Sequence, residues 1–487
     1  MPASQLLEKW FDINALMKAN TIMGWDQQVL MPDGGTEARS AHQAILSRML
    51  HERITSDEFC RLAEDLFASS EPGSDENIMA RAALREIQTR LALPPRLVER
   101  KSRVSSDAYA TWRRARLESD FKAMIPYYQE LFDIARETAE LRGYEDHPYD
   151  ALIDLFEEGA TYQVARTMFD QLVAPLKDVV SRQVEHGNQD DAFLKGDWDQ
   201  EALRRWAQAA ATEVGFDFSR GRLDITANAF CTNLSRNDVR MTTRPKNHIN
   251  GIVFSSMHEM GHGLYEQGSP EKWDRTPAAG GISMAVHESQ SRLWENIVGR
   301  SLPFWKRNLD RLKDQVSLSC SVEEFYRAIN RVEPGTIRIG SDELTYNLHI
   351  LVRFEMECAV ITGKVAVKDL NEAWRECYRQ SLGINPPNDG EGVLQDVHWS
   401  RGSIGYFPTY TMGNLISWQV WESLCEDIPN TDELMENGEF QPILGWLQDR
   451  IYSQAKRYHP TELVKRVTGK PIGVDAYLRG MNAKYPL

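Results

Sequence analysis

Cysteine is sparse in this sequence, and its few copies lie far apart. Six of the 487 residues are cysteine, and no two of them form a Cys-x-x-Cys pair. This spacing excludes a zinc site built from thiolate pairs and a redox dithiol. Scattered cysteines are typical of buried, unpaired side chains in a reducing compartment, which favours the cytoplasm.

Long apolar runs and interdomain linkers are also absent. No run of about 18 apolar residues occurs, so we expect no membrane span. The N-terminus lacks the charged and then apolar design of a signal peptide, which agrees with a cytoplasmic location. No Gly/Ser-rich or Pro-rich linker divides the chain, and residues 1–487 are therefore expected to form one domain.

Basic residues are too few to balance the acidic ones. The chain has 56 Lys and Arg against 71 Asp and Glu, a formal net charge of −15 at pH 7. Such a surface repels nucleic acid and fits poorly on anionic lipid. We expect neither partner.

Most of the sequence shows apolar residues at helical spacing, which predicts a mainly α fold. The predicted helices cover residues 5–20, 37–54, 76–92, 105–142 (one or two helices), 163–187, 198–213, 284–300, 303–317, 322–331, 342–362, 368–380, 412–426 and most of the last 60 residues. Residues 222–244 alternate polar and apolar side chains instead, which predicts a hairpin with its turn near Ser235–Asn237. That hairpin either lines a cleft or is an ordinary surface feature.

The motif His258-Glu259-Met260-Gly261-His262 carries the main chemical signal. Histidines at i and i+4 share one helix face and can reach one ion. Zinc lowers the pKa of a bound water to about 7, so the neighbouring Glu259 can accept its proton. Gly261 is a poor helix former, as is Gly263, and their presence predicts close packing of another backbone.

A third metal ligand is needed, and Glu288 is the best candidate. Glu266 shares the helix face but lies about 12 Å from His258 by helix rise, too far for one ion. A third histidine six residues after His262 is excluded, because Gly268 is there. Glu288 opens a helix with an expected N-cap at Ser283. His287 is a rival ligand or a partner of one.

Peptide hydrolysis also needs an oxyanion donor and substrate contacts. Residues 392–410 form a glycine-dotted segment rich in donors, including Gln395, His398, Tyr406 and Tyr410. This segment is either a ligand-binding loop or a structural one. Arg338 could supply a fixed guanidinium for a substrate carboxylate, or it could form a salt bridge beside a helix.

Taken together, these segments resemble the carboxypeptidase Taq family of zinc metallocarboxypeptidases over nearly the whole chain. The matching motifs are Trp25-Asp26-Gln27, Met31-Pro32, Gly34-Gly35, Tyr149-Asp150-Ala151-Leu152, Asp238/Arg240/Thr242, His258–His262, His287–Gln290, Ile337/Arg338/Asp342 with Ser341 in place of Ala, and Gly392/Gln395/Asp396/His398/Trp399. One motif departs, because Asn228-Ala229-Phe230 stands where the family has His-Pro-Phe.

The resemblance implies a large, mainly helical, neurolysin-like fold with a deep central groove and a small sheet beside the zinc. It implies a homodimer that removes single C-terminal residues from peptides with broad specificity. It also implies that Tyr410 stabilises the oxyanion with help from His398 and Tyr406, while Gln395 belongs to the substrate-binding loop.

We therefore expect a metallocarboxypeptidase with one Zn²⁺ per chain, which Co²⁺ or Mn²⁺ could replace. Its ligands are His258, His262 and Glu288, and Glu259 is the general base. Arg338, and secondly Arg240, would bind the terminal carboxylate of the peptide.

Two alternatives remain open. An endo-acting zinc oligopeptidase on the same scaffold would ignore the substrate's terminal carboxylate. A catalytically inactive helical binding protein is the other, and the intact Glu259 argues against it.

Overall fold

A computed structural model describes residues 2–91, 93–187 and 190–486. Within these ranges the chain folds into twenty α-helices and one small sheet. The helices are α1 Pro2–Val29, α2 Thr36–Ile54, α3 Asp57–Ser69, α4 Asp75–Leu91, α5 Pro95–Glu118, α6 Phe121–Arg142, α7 Tyr149–Ile153, α8 Tyr162–His186, α9 Gln200–Val214, α10 Asn250–Gly268, α11 Met284–Arg292, α12 Leu302–Lys313, α13 Val322–Ile329, α14 Glu343–Ile361, α15 Leu370–Leu382, α16 Pro408–Asp427, α17 Thr431–Asn437, α18 Gln441–Arg450, α19 Pro460–Thr468 and α20 Asp475–Lys484.

The predicted helical pattern is confirmed over most of the chain. Residues 105–142 belong to two helices, α5 and α6, and α1 runs past residue 20 to Val29. Helix α3 was not predicted. Ala92, the last residue of the predicted helix 76–92, lies outside the described residues. Polar N-caps begin several helices, among them Thr161 and Asp199, whose side chains accept hydrogen bonds from the first helical turn.

The sheet has three strands, β1 Gly221–Ile225, β2 Cys231–Ser235 and β3 Asp238–Thr243, in the order β1-β3-β2. The predicted turn near Ser235–Asn237 joins β2 to β3, which are antiparallel. The prediction of one simple hairpin was incomplete, because β1 is a separate strand that pairs in parallel with β3. Leu223, Val239 and Met241 are buried on the sheet face that joins the main core.

Three apolar cores lie among the described residues. The largest extends from α5 to α20 and includes the sheet, and a third, small one joins helix α4 to Trp273. Helices α1 to α4 have a smaller core of their own, with Trp10, Ile54 and Phe59 at its centre. Helix α10 is buried on several sides by α9, α11 and β3, which places the His-Glu-x-x-His segment inside the protein.

The segment predicted as one helix over residues 284–300 changes geometry midway. Ser283 caps α11 as predicted, with its side chain accepting from the N–H of Val286. After Arg292 the chain continues as a π-helix over Leu293–Val298. Such segments are rare and are frequent at functional sites. This one carries Glu295, which contacts the metal helix α10.

The cysteines and the described helices agree in part with the sequence predictions. All six cysteines are unpaired, as predicted, but only Cys358 is buried and the other five are partly exposed. None of the described helices is both long enough and apolar enough to cross a membrane.

Candidate metal centre and active-site groove

Close contact between two helix backbones brings the candidate ligands together. A Cβ atom on Gly261 would lie 2.5 Å from the carbonyl oxygen of Gln290, so only glycine allows α10 to approach α11 this closely. The predicted reason for a glycine in the metal helix is thereby confirmed at Gly261. Gly263 instead makes room for the side chains of Phe216 and Met241.

Three ligand atoms converge at this contact. Glu288 Oε2 lies 3.6 Å from the Nε2 atoms of both His258 and His262. Zinc ligands at about 2.0–2.2 Å in a tetrahedral site are about 3.4 Å apart, so this cluster has the right size. The set combines two imidazoles with one carboxylate and therefore suits a divalent metal with an open coordination position.

The other ring nitrogens of the two histidines are already bound. His258 Nδ1 lies 2.8 Å from Glu295 Oε2, and His262 Nδ1 lies 2.6 Å from His287 Nδ1. Both Nε2 atoms are thereby directed to the metal position, as in carboxylate–histidine–metal arrangements. His287 and Glu266, the rival ligands, serve as outer partners, because His287 Nε2 lies 2.7 Å from Glu266 Oε1.

This chain of contacts fixes the tautomers. If His262 Nε2 binds a metal, its Nδ1 carries the proton and donates to His287 Nδ1. His287 then carries its own proton on Nε2 and donates to Glu266. Glu266 also accepts from Asn233, whose side-chain oxygen accepts from Lys18 Nζ at 2.5 Å. A line of hydrogen bonds thus connects helix α1 to the metal site.

We predict that His287→Ala weakens metal binding without abolishing it. The change removes the acceptor that orients His262, and such partners contribute about 10–100-fold to metal affinity. Competition with a chelator of known affinity measures the effect. His42→Ala, at an exposed histidine on α2, is the control. Equal metal affinity in the two variants would contradict this role.

Burial and neighbouring charge set the ionisation of the site. Burial raises the pKa of Glu259 to about 7, and Glu288 and Glu295 add to this effect. Burial alone would lower the pKa of His258, but Glu288 and Glu295 outweigh it and raise the pKa to about 9. The pKa of His262 is well below its usual value because of burial and its histidine neighbours. Metal binding must therefore displace a proton from His258.

The metal helix faces a cavity of about 700 Å³, which corresponds to the predicted groove. His258, Glu259, His398 and Tyr410 all line it. A second cavity, of about 710 Å³, lies beside β1 and contains Arg204 and Asp224. The ligand cluster belongs to the first cavity, so the chemistry is assigned there.

The predicted oxyanion donors are close together. His398 Nε2 lies 3.3 Å from the hydroxyl oxygen of Tyr410, and the rings of Tyr406 and Tyr410 meet edge to face at 5.1 Å. Burial lowers the pKa of His398 to about 3, so its imidazole is neutral. Burial also raises the pKa of Tyr410 well above its usual value, so its phenol keeps the proton it would donate.

Arg338 reaches the groove, but much of its guanidinium is already bound. Its Nε and Nη2 donate to Asp396 Oδ1 at 3.0 and 2.7 Å, and its Nη1 donates to the Tyr346 hydroxyl at 2.9 Å. Arg353 donates to the other oxygen of Asp396. The guanidinium also stacks near the Tyr410 ring, at 5.2 Å from its centroid.

Two of the predicted substrate-binding side chains have partners within the chain. Gln395 borders the groove, but its side-chain oxygen accepts from the Arg338 N–H, and its nitrogen donates to Thr336 and Glu391 carbonyls. This amide therefore supports the loop. Arg240 pairs with Asp238, and its guanidinium lies 4.5 Å from the centroid of the Trp25 ring.

Sequence reasoning missed two members of the site. Glu295 supports His258, and Arg292 donates to Glu288 at 2.7 Å. A signal was present, because Arg292 lies four residues after Glu288 and Glu295 lies seven residues after Glu288, and both spacings return to the same helix face. The departing pair Asn228-Ala229 also lines the groove.

A His-Glu-x-x-His helix, a carboxylate as the third candidate ligand and a groove beside them define the chain as a metallopeptidase. Comparison with known proteins gives the particular kind. The model of the carboxypeptidase Taq (M32) metallopeptidase family matches residues 5–485. The chain belongs to this family, and it is a hydrolase of the metallocarboxypeptidase type.

Similar proteins cover the chain almost completely. Thermostable carboxypeptidase 1 of Thermus thermophilus is 38% identical over 99% of this chain and 97% of its own length. Thermostable carboxypeptidase 1 of Pyrococcus furiosus is 37% identical, over 99% and 98%. A solved structure of the Pyrococcus furiosus carboxypeptidase, with 36% identity, covers 100% of this chain and 99% of that one with a TM-score of 0.97. The predicted fold and family are thus confirmed.

Proposed function

We propose that this chain is a zinc carboxypeptidase that releases single C-terminal residues from peptides with broad specificity. The observation that carries the proposal is the convergence of His258, His262 and Glu288 at the wall of a groove that also holds Glu259. Zinc bound there would polarise the scissile carbonyl and acidify a water. Co²⁺ or Mn²⁺ could supply the same chemistry.

The residues of the chain then have separate tasks. Glu259 takes a proton from the attacking water and delivers it to the leaving amine, a role that its raised pKa suits. Tyr410, kept protonated by burial, donates to the oxyanion, and the neutral His398 orients the Tyr410 hydroxyl. Tyr406 packs against Tyr410 and limits its movement.

Arg338 is proposed as a substrate-binding residue near Tyr410. Asp396 holds its guanidinium in place, and Nη1 and Nη2 each keep an N–H group beyond the bonds to Tyr346 and Asp396. The proposal also includes a homodimer in the cytoplasm, for which the sequence resemblance and the unpaired cysteines are the support.

The choice between exopeptidase and endopeptidase action gives a direct test. We predict that a peptide with a free C-terminal carboxylate is cleaved at least about 100-fold faster than its C-terminal amide, because the charged hydrogen bonds are lost in the amide. Mass spectrometry of digests of the matched pair measures both the rate and the position of cleavage. Equal cleavage of the two, at internal bonds, would favour the endo-acting alternative.

A further inference from the structure

Most arginines of the groove already have partners. Arg292 pairs with Glu288, Arg300 with Glu295 and Arg338 with Asp396. Arg116 and Arg401 stack on aromatic rings. The Arg116 guanidinium carbon lies 5.6 Å from the centroid of Trp112, and that of Arg401 lies 4.9 Å from the centroid of Tyr109. These cations are either neutralised or held against the wall.

Two neighbouring cations of the groove have no such ion pair among the described residues. Arg244 and Lys246 line the same cavity, and within residues 2–91, 93–187 and 190–486 neither forms an ion pair. Arg244 Nε is buried and has no hydrogen-bond partner among those residues. A buried N–H group without an acceptor carries a free-energy cost that a bound anion would remove.

The position of Arg244 is fixed relative to the catalytic helix. Its backbone N–H donates to Ser255 Oγ at 3.2 Å, and the preceding Thr243 hydroxyl lies 2.7 Å from the same oxygen. Ser255 precedes Glu259 by four residues, about 6 Å along the helix. A single residue beyond the scissile bond spans about 3.5 Å, so its carboxylate falls within reach of an arginine side chain anchored there.

We infer that Arg244, assisted by Lys246, binds the α-carboxylate of the departing C-terminal residue. This inference rests on the proposed exopeptidase function. An arginine presents two parallel N–H groups to a carboxylate, and no acidic side chain among the described residues forms an ion pair with Arg244. Arg338 then holds the Tyr346 hydroxyl, packs over the Tyr410 ring and contacts the substrate without binding its terminal carboxylate.

The ionisation of Lys246 agrees with an anion at this position. Burial, and after it the nearby Arg244, lower the pKa of Lys246 to about 8, while Glu295 opposes them. Two adjacent cations in a partly enclosed groove repel each other. A carboxylate placed between them would offset that repulsion.

The test compares free-acid and amidated forms of one peptide. We expect Arg244→Gln to lower kcat/KM for the free acid about 10- to 100-fold, chiefly through KM, and to leave the amide unchanged. The ratio of the two rates should therefore fall towards one. Arg244→Lys, which keeps the charge but loses the fork, should restore part of the ratio. Arg116→Gln, at another arginine of the groove, should keep the wild-type ratio.

Zinc content and melting temperature, measured on each variant, show whether the fold is intact. The inference would be overturned if folded, zinc-loaded Arg244→Gln protein kept a free-acid to amide rate ratio within about twofold of the wild-type ratio. It would also be overturned if Arg338→Lys alone lost that ratio. A third contrary outcome is that Arg244→Gln loses a preference for Asp or Glu side chains in the substrate but keeps the free-acid to amide ratio. If the wild type cleaves the free acid and the amide at equal rates, the exopeptidase proposal has failed instead.

Discussion

Glu259→Gln is expected to abolish most peptidase activity while zinc remains bound at one ion per chain. The carboxylate is buried beside His258 and is not among the three converging ligand atoms, so its loss removes a proton acceptor and no ligand. Glutamine has nearly the same shape but cannot accept the proton of the attacking water. General-base groups contribute about 10²–10⁴-fold to rate, and a residue that also delivers the proton can contribute more.

The measurement pairs metal analysis with kcat/KM on a free-acid peptide. Glu433→Gln, at an exposed residue of α17, controls for the change of charge and should behave as wild type. Near-normal turnover in zinc-loaded Glu259→Gln protein would remove Glu259 from the mechanism. Loss of zinc would instead show that the carboxylate helps to hold the metal.

The spacing of His258 and His262 was sufficient to predict one shared helix face, because that spacing follows from helix geometry alone. Their rings do meet, with centroids 5.0 Å apart. The role of Gly261 could be predicted for the same reason, since a glycine inside a helix needs a packing explanation. Local rules were thus sufficient to predict the helix face and the close packing at the candidate metal centre.

Features that depend on distant parts of the chain could not be predicted. The parallel pairing of β1 with β3 requires the chain to pass the position of β3 on its way from β1 to β2, and no local pattern encodes it. The Arg338 guanidinium donates to Asp396, which lies 58 residues later, so the sequence could not show that this guanidinium is already hydrogen-bonded. That Arg244 Nε has no hydrogen-bond partner among the described residues is likewise visible only in three dimensions.

Glu288→Ala is expected to release zinc, in contrast to Glu259→Gln. The change removes one of three converging ligand atoms, and the affinity should fall by more than the about 10–100-fold that an outer partner contributes. Activity at trace zinc should be lost accordingly. Glu288→Gln separates the metal effect from packing, because its amide keeps the shape between Arg292 and Gly413 but offers a neutral, weaker ligand.

Glu295→Gln is the matched control for this experiment. Glu295 lies seven residues further along and contacts His258 Nδ1, not the metal position, so its loss should weaken zinc binding only within the range of an outer partner. Dialysis followed by metal analysis orders the three variants. Stoichiometric zinc in Glu288→Ala together with release from Glu266→Ala would mean that the metal lies one turn further along α10. That result would require Glu266 to give up His287, whose Nε2 it now accepts from at 2.7 Å.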